Sequence, residues 1–452
     1  VPRLRLIQRL LPLLLLLVFI AGLLAPAAGA ASAQGAPSSA TIKQALDLLL
    51  DHFVHPPPSS ALLGAAWNGA RAAAGADTPA PPLTGDRDAD WQAFSAALAG
   101  LLQRPGVDSG AVTGAAIRAM AESVNESHTY YLSPDRYQEY QSWLRGDVRY
   151  SGIGARLDGS SLTVVEVFDE SPAARAGLKP GDTVIAVDGQ SVVGMPQERA
   201  VSLVRGPSGT PVTLTVTRDG VPRPLVLTMT RATVQIAFVH DELLPGGVGY
   251  LRLRGFPDMH VADTFEAALD DLQRQGATSL VLDLRGNSGG RLDVGTRLLS
   301  LFIQSGPLYH QVPRDGTPRT VLADGHYRTP ALPLAVLVDS GTASMGEIFA
   351  AAIQDDHRGT LVGTTTAGSV AGAQVFGLQD GSGLQVTVMD ITSAGGRVLN
   401  GVGVVPDQMV PRDPASLRSG HDPQLDAAVA ALPQPALPTP TPSSAWLERL
   451  AA

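Results

Sequence analysis

The chain contains no cysteine. That excludes disulfides, a cysteine nucleophile, thiolate metal sites and a lipid-bearing cysteine. Lysine is nearly as scarce. Of 452 residues only Lys43 and Lys179 are lysines, so everything beyond position 179 lacks an ammonium side chain. Charged residues make up 17% and hydrophobic ones 44% of the chain, a globular balance and not a disordered one. The net charge of −9 offers no electrostatic footprint for nucleic acid.

What is present starts with a marked N-terminus. Arg3, Arg5 and Arg9 precede an apolar run from Leu10 to Leu24, and small residues follow to Ala31-Ser32-Ala33. That order predicts a secretory signal peptide over 1–33, cleaved after Ala33, and an extracytoplasmic product, secreted or in the cell envelope. The other reading is an uncleaved anchor that keeps the protein near a membrane. The run is short for a span and is broken by Pro12 and Gly22. Cleavage would remove three arginines and take the net charge to −12.

The remaining length exceeds one ordinary core, and its character changes along the chain. Residues 38–146 read as short helices: apolar residues recur at helical spacing in Ile42, Ala45, Leu46 and Leu49, and again in Trp91, Phe94, Leu98 and Leu101. A third helix is predicted from Val112 to Val124, and the Pro-, Gly- and Asp-bearing stretch 75–90 reads as a loop. Residues 147–231 read as a small β-rich domain, with alternating strands at 162–167, 183–187 and 212–216 separated by turns such as Lys179-Pro180-Gly181-Asp182. Residues 232–432 alternate strands (248–253, 279–284, 334–338) with helices (261–273, 292–302, 348–353), the order of an α/β layer. Residues 433–452 form a Pro-rich tail, of which 433–444 should be extended and unpacked.

Two segments of the α/β part carry chemistry. Asp283-Leu284-Arg285-Gly286-Asn287-Ser288-Gly289-Gly290 follows an apolar strand, and glycines there let backbone N–H groups converge on an anion. The ending lacks the Gly-Lys-Ser/Thr of a phosphate loop. Asp339 to Glu347 leads from the strand at 334–338 into a helix and presents Ser344 at the positive end of the helix dipole, as a candidate nucleophile. Glu347 reads as a cap of the helix N–H groups.

These segments together resemble the two signature stretches of the C-terminal processing peptidases, also called tail-specific proteases. Ser151-Gly152-Ile153-Gly154-Ala155, Ser171 to Leu178 and Lys179 to Asp182 resemble the PDZ domain of that family, and Gly401-Val402-Gly403-Val404-Val405-Pro406-Asp407 its closing motif. The resemblance spans Ile42 to Leu432. It implies a multidomain α+β protein with an N-terminal helical segment, a PDZ β-domain and an α/β serine protease core of the ClpP/crotonase-like kind. It also implies serine peptidase activity with Ser344 as nucleophile, and an oxyanion hole from Gly290 and the N–H of Met345. Substrates would be proteins or peptides with apolar C-termini, their terminal carboxylates received by the Gly152-Ile153-Gly154 backbone while the peptide adds as a strand. No cofactor, metal or nucleic acid is implied.

One departure decides the mechanism. The family's catalytic lysine falls 25 residues after the serine, and Ser369 stands there; a hydroxyl is no base near neutral pH. The tricorn-like and retinoid-binding-protein-like branch uses histidine preceded by serine, with a glutamate in the closing motif. Ser127-His128 resembles the first pair, whereas the glutamate position falls at Asn400, which can orient an imidazole but not stabilise its charge. A serine hydroxyl needs a base that titrates near working pH. Of nine histidines, His128 sits at a helix-to-loop junction beside Ser127 and is the expected base. The alternative is a catalytically inactive PDZ-bearing peptide-binding protein on the same scaffold.

Overall fold

The computed structural model describes residues 38–433, apart from 146–148, 158–161, 169, 196, 236, 330–331, 412–415 and 417–420. The expected signal segment, its cleavage point and the tail beyond 433 lie outside the described residues.

The described residues open with four helices: α1 (Ser38–His52), α2 (Ser59–Ala73), α3 (Arg87–Leu102) and α4 (Ser109–Glu122). Their apolar stripes meet in one core that includes Ile42, Leu46, Leu49, Trp67, Phe94 and Ile117, each side chain removed from water. Each fully buried leucine or isoleucine of this kind stabilises by roughly 2 kcal/mol. Helix α2 is not among the helices that the apolar spacing predicts, and α3 starts inside the stretch expected to be a loop. Asp86, inside the predicted 75–90 loop, accepts hydrogen bonds from the N–H groups of Asp88 and Ala89 and caps α3. Asp90 is therefore helical and buried, and it accepts from the Ser59 hydroxyl at 2.7 Å, which fastens α3 to α2. A short strand, β1 (Tyr130–Leu132), and α5 (Pro134–Leu144) follow.

The β-rich part comprises β2 (Arg149–Gly152), β3 (Ala155–Leu157), β4 (Val164–Val167), α6 (Pro172–Arg175), β5 (Thr183–Val187), β6 (Gln190–Ser191), α7 (Gln197–Val204), β7 (Pro211–Thr217), β8 (Leu225–Thr230) and β9 (Ala232–Gln235). Strands β6-β5-β7-β8 make one antiparallel sheet, and β2–β9 and β3–β4 make two pairs. The three expected strands appear here, around a separate core of Ile153, Val164, Val187, Leu214 and neighbours.

The α/β part begins with the hairpin β10 (Val239–Leu244) and β11 (Val248–Leu253), then α8 (Met259–Arg274), β12 (Ser279–Asp283), α9 (Leu292–Ser300), β13 (Pro307–Pro313) and β14 (Arg319–Leu322). After these come β15 (Leu334–Val338), α10 (Met345–Asp355), β16 (Thr360–Gly363), β17 (Gly372–Gly377), β18 (Gly383–Ser393), β19 (Gln408–Met409) and α11 (Pro423–Ala431). The main sheet has the order β10-β11-β12-β15-β16-β19 and is parallel from β11 onward. Every residue of β12 and β15 is buried, because both faces are covered. Leu280, Leu282 and Val336 face α8, α9 and α10, while Val281, Ala335 and Leu337 face α11.

A second sheet joins the distant parts. β18 pairs with β1, β13 and β17. Leu384 and Val386 of β18 also enter the core of the N-terminal helices. Strand β18 thus holds β1 and β17 on one frame, and the loops just before those two strands are the ones the site uses.

Candidate active site

Ser344 closes the turn between β15 and α10. Its backbone lies at φ 54°, ψ −122°, a conformation that side-chain-bearing residues adopt only when the surroundings enforce it. The helix begins at Met345 and not at Ile348, so Ser344 is its N-cap and sits directly at the positive end of the dipole. Several bonds hold the turn. Ala343 N–H donates to Asn287 O at 2.8 Å, Thr342 Oγ1 donates to Leu284 O at 2.8 Å, and Asp339 accepts from Gly286 N–H at 2.8 Å. The glycine loop and the serine turn are therefore one unit.

Glu347 does more than cap its helix. Its carboxylate is fully buried and accepts from Ser344 N–H at 3.2 Å, Gly368 N–H at 2.7 Å, Ser369 N–H at 2.9 Å and the Thr366 hydroxyl. Ser344 N–H also donates to Ser369 O at 2.8 Å. One carboxylate thereby binds the serine turn to the loop that carries Ser369.

The glycine loop presses against Ser344. A Cβ at Gly289 (φ 92°) would lie 2.6 Å from Ser344 Cβ and 2.9 Å from Met345 N, so only glycine fits. Gly290 is bridged to Phe256 through its neighbours: Phe256 N–H donates to Gly289 O at 3.0 Å and Arg291 N–H to Phe256 O at 2.8 Å. Among the described residues, neither Gly290 N–H nor Met345 N–H has an acceptor. Behind the loop, Asp283 and Arg285 form a buried ion pair at 2.7 Å, joined by Tyr250, Asp422 and Gln424. Burial opposes ionisation of Asp283, but the Arg285 charge and its hydrogen bonds prevail and hold this carboxyl well below the usual range.

The third component comes from the N-terminal part. Ser127 Oγ lies 2.9 Å from Ser369 Oγ and 3.2 Å from His128 Nδ1. Gln385 of β18 donates to His128 O at 3.0 Å. Among the described residues no hydrogen bond joins His128 to Ser344, and His128 Nε2 has no partner. Asn400, expected to orient the imidazole, accepts instead from Val370 N–H at 3.2 Å and makes no hydrogen bond to His128. The acid beside the imidazole is Glu126, which belongs to none of the motifs: its Oε1 is 3.3 Å from His128 Nδ1. Burial would raise the Glu126 carboxyl, but hydrogen bonds from His128 and Thr387 outweigh it and lower the pKa below the ordinary glutamate value. Its position two residues before the histidine was the available signal.

In the β-rich part, Ile153 O accepts from Ala173 N–H and Gly154 O from Phe168 N–H, at 2.8 and 2.9 Å. Neither Ile153 N–H nor Gly154 N–H donates to a described residue. This part meets the α/β part at Glu166, whose carboxylate pairs with Arg156, Arg252 and Arg254 at 3.4, 2.8 and 2.5 Å.

Comparison with known proteins is consistent across sequence and fold. Residues 247–410 match the model of Peptidase family S41, and residues 163–218 match that of the PDZ domain. The chain is 34% identical over 328 residues to the carboxyl-terminal-processing protease of Synechocystis sp. (strain ATCC 27184 / PCC 6803 / Kazusa), covering 70% of this chain and 76% of that one. It is 31% identical over 313 residues to the carboxy-terminal-processing protease of Bartonella bacilliformis, covering 68% and 71%. Among solved structures, the photosystem II D1 C-terminal processing protease superposes with a TM-score of 0.57 at 27% identity, covering 88% of this chain and 98% of that one. Mature CPAF complexed with lactacystin shares the fold, with a TM-score of 0.52 at 12% identity over 84% of this chain and 95% of that one.

Proposed function

Since the chain belongs to peptidase family S41 and is a serine-type peptidase of the carboxyl-terminal processing kind, acting on protein or peptide substrates, we propose that it cleaves them through Ser344 with His128 as general base. The observation that carries this reading is the contact between Ser127 Oγ and Ser369 Oγ at 2.9 Å. It sets the histidine loop against the position where the family keeps its lysine, one backbone hydrogen bond from Ser344.

In the reaction, Ser344 Oγ attacks the scissile carbonyl and its proton passes to His128 Nε2. The oxyanion takes the two N–H groups of Gly290 and Met345, each such donor being worth about 3 kcal/mol in a water-poor site. The tetrahedral species then expels the amine, which takes the proton from the imidazolium, and water attacks the acyl-serine by the same route. An uncomplexed enzyme need not show a closed serine–histidine bond, because such bonds tighten when substrate is bound.

The PDZ part would receive apolar substrate C-termini on Gly152-Ile153-Gly154, supported by the unengaged N–H groups of Ile153 and Gly154. Export of the chain is inferred from Arg3, Arg5, Arg9 and the apolar run behind them.

A serine-directed fluorophosphonate tests the central claim. Wild-type protein should label at Ser344 and cleave an apolar-ended peptide, and His128→Ala should lose both by orders of magnitude. A His128→Ala variant with the wild-type rate would show that another group is the base.

A further inference from the structure

The reading of His128 as base leaves one requirement open: something must hold its proton-bearing nitrogen, and Asn400 is occupied elsewhere. We propose that Glu126 is the positioning residue of this site, its Oε1 receiving the Nδ1 proton of His128 so that Nε2 is left bare to accept the Ser344 proton. This rests on His128 being the base.

The two oxygens of Glu126 have separate work. Oε2 shapes the loop: it accepts from His128 N–H at 2.9 Å, from Thr129 Oγ1 at 3.2 Å and from the Thr387 hydroxyl of β18. Oε1 takes no part in that scaffold. Its neighbours are His128 Nδ1 at 3.3 Å and Ser127 Oγ at 3.5 Å. A residue serving only as a turn cap would need one oxygen, and here the second is aimed at the imidazole. The carboxylate cannot swing away, because Thr129 and Thr387 grip it from the loop and from β18. Both side chains are mostly shielded, Glu126 being 12% and His128 14% exposed, so their attraction is weakly screened.

The chemistry follows from the charge. When Ser344 gives its proton to Nε2, the imidazole becomes a cation, and a carboxylate at Nδ1 stabilises it where the amide of Asn400 would not. Ser127 Oγ, also within reach of Nδ1, can then donate to Ser369 Oγ. Among the described residues Glu126 is the only ionisable side chain in contact with the imidazole.

The test compares Glu126→Gln, Glu126→Asp and His128→Ala in the full chain, reading fluorophosphonate labelling of Ser344 and peptide cleavage against pH. Glu126→Gln should lower kcat by about 10²–10⁴-fold. It should also move the acidic limb to lower pH, since an imidazolium without its carboxylate is less stable. Glu126→Asp should recover part of the loss. If His128→Ala is inactive while Glu126→Gln keeps both the wild-type rate and the wild-type limb, this inference is overturned and the base assignment stands. If His128→Ala is fully active, the base assignment itself fails. Should Glu126→Gln not fold, ¹⁵N-histidine NMR of the wild-type chain decides. The resonances of His128, identified by their loss in His128→Ala, should report the Nδ1–H tautomer, and the Nε2–H tautomer would overturn the proposal.

Discussion

The serine turn and the histidine loop stand on either side of the site and are held by opposite means. The serine turn is made of backbone. Ser344 sits at a positive φ, Gly289 leaves no room for a Cβ, and the buried Glu347 ties Ser344, Gly368 and Ser369 together. The histidine loop is held by side chains that join different parts of the chain: Ser127 to Ser369, Gln385 to His128 and Glu126 to Thr387. A rigid half, which carries the proposed oxyanion donors, thus faces a proposed base held by a few polar contacts. The placement of Gly290 and Met345 is set when the sheet folds, whereas that of His128 beside Ser369 depends on β1 and β17 both finding β18.

Breaking the rigid half should have the largest consequences. Ser344→Ala should lower kcat by about 10⁶-fold while the melting temperature falls only slightly, since the hydroxyl contributes one capping contact to a turn that several backbone bonds also hold. Residual cleavage near wild type would move the nucleophile elsewhere. Gly289→Ala comes next. Its methyl would collide with Ser344 Cβ and Met345 N, so the oxyanion donors must shift, and kcat should fall by about 10²–10³-fold. Steady-state kinetics with an unchanged rate would mean that the loop does not form the oxyanion site.

Glu347→Gln separates the two halves. The amide cannot accept from three N–H groups and a hydroxyl at once, and its own N–H₂ must face donors, at a cost of about 1–3 kcal/mol. Denaturant unfolding should register that loss, and the histidine loop should loosen with it, because Ser369 is where the halves touch. Unchanged stability would show that the network is redundant.

The smallest expected effect lies at the PDZ junction, where the Glu166 carboxylate meets three arginines. Burial raises the Glu166 carboxyl, but Arg252, Arg254 and Arg156 lower it further, so its folded pKa lies below its unfolded one. Its contribution is therefore present above the ordinary glutamate value of about 4.3 and is lost as pH falls through the depressed value. Limited proteolysis should find the junction more open in Glu166→Gln at neutral pH, and in wild type only under acid. Equal protection of the two at neutral pH would show that the charges do not hold the junction.

The legibility of each half in the sequence follows from the same contrast. Asp283 to Gly290 and Thr342 to Glu347 are contiguous, and a glycine's lack of a Cβ or a serine's place before a helix can be read from neighbours alone. The histidine loop could be read only in part. Ser127-His128 is visible as a pair, but the resemblance to the tricorn-like branch places the partner of the imidazole 272 positions away, at Asn400, where that branch has a glutamate. Glu126, two residues from His128, carries no motif. Strands β17 and β18 and helix α2 were also unread, although β18 is the element that frames the site.

By itself, then, the sequence determined the absence of a lysine base, the buried parallel strands and the two glycine- and serine-bearing turns, because composition, apolar runs and steric freedom are properties of adjacent residues. Tertiary structure alone decided which polar atoms meet: Glu347 with the Ser369 loop, Ser127 with Ser369, Glu126 with His128, Glu166 with three arginines. Hydrogen bonds act over about 3 Å and are indifferent to distance along the chain. Strand register brings residues 127 and 369 together, and the pairing of β1 and β17 with β18 is settled by packing across the whole molecule.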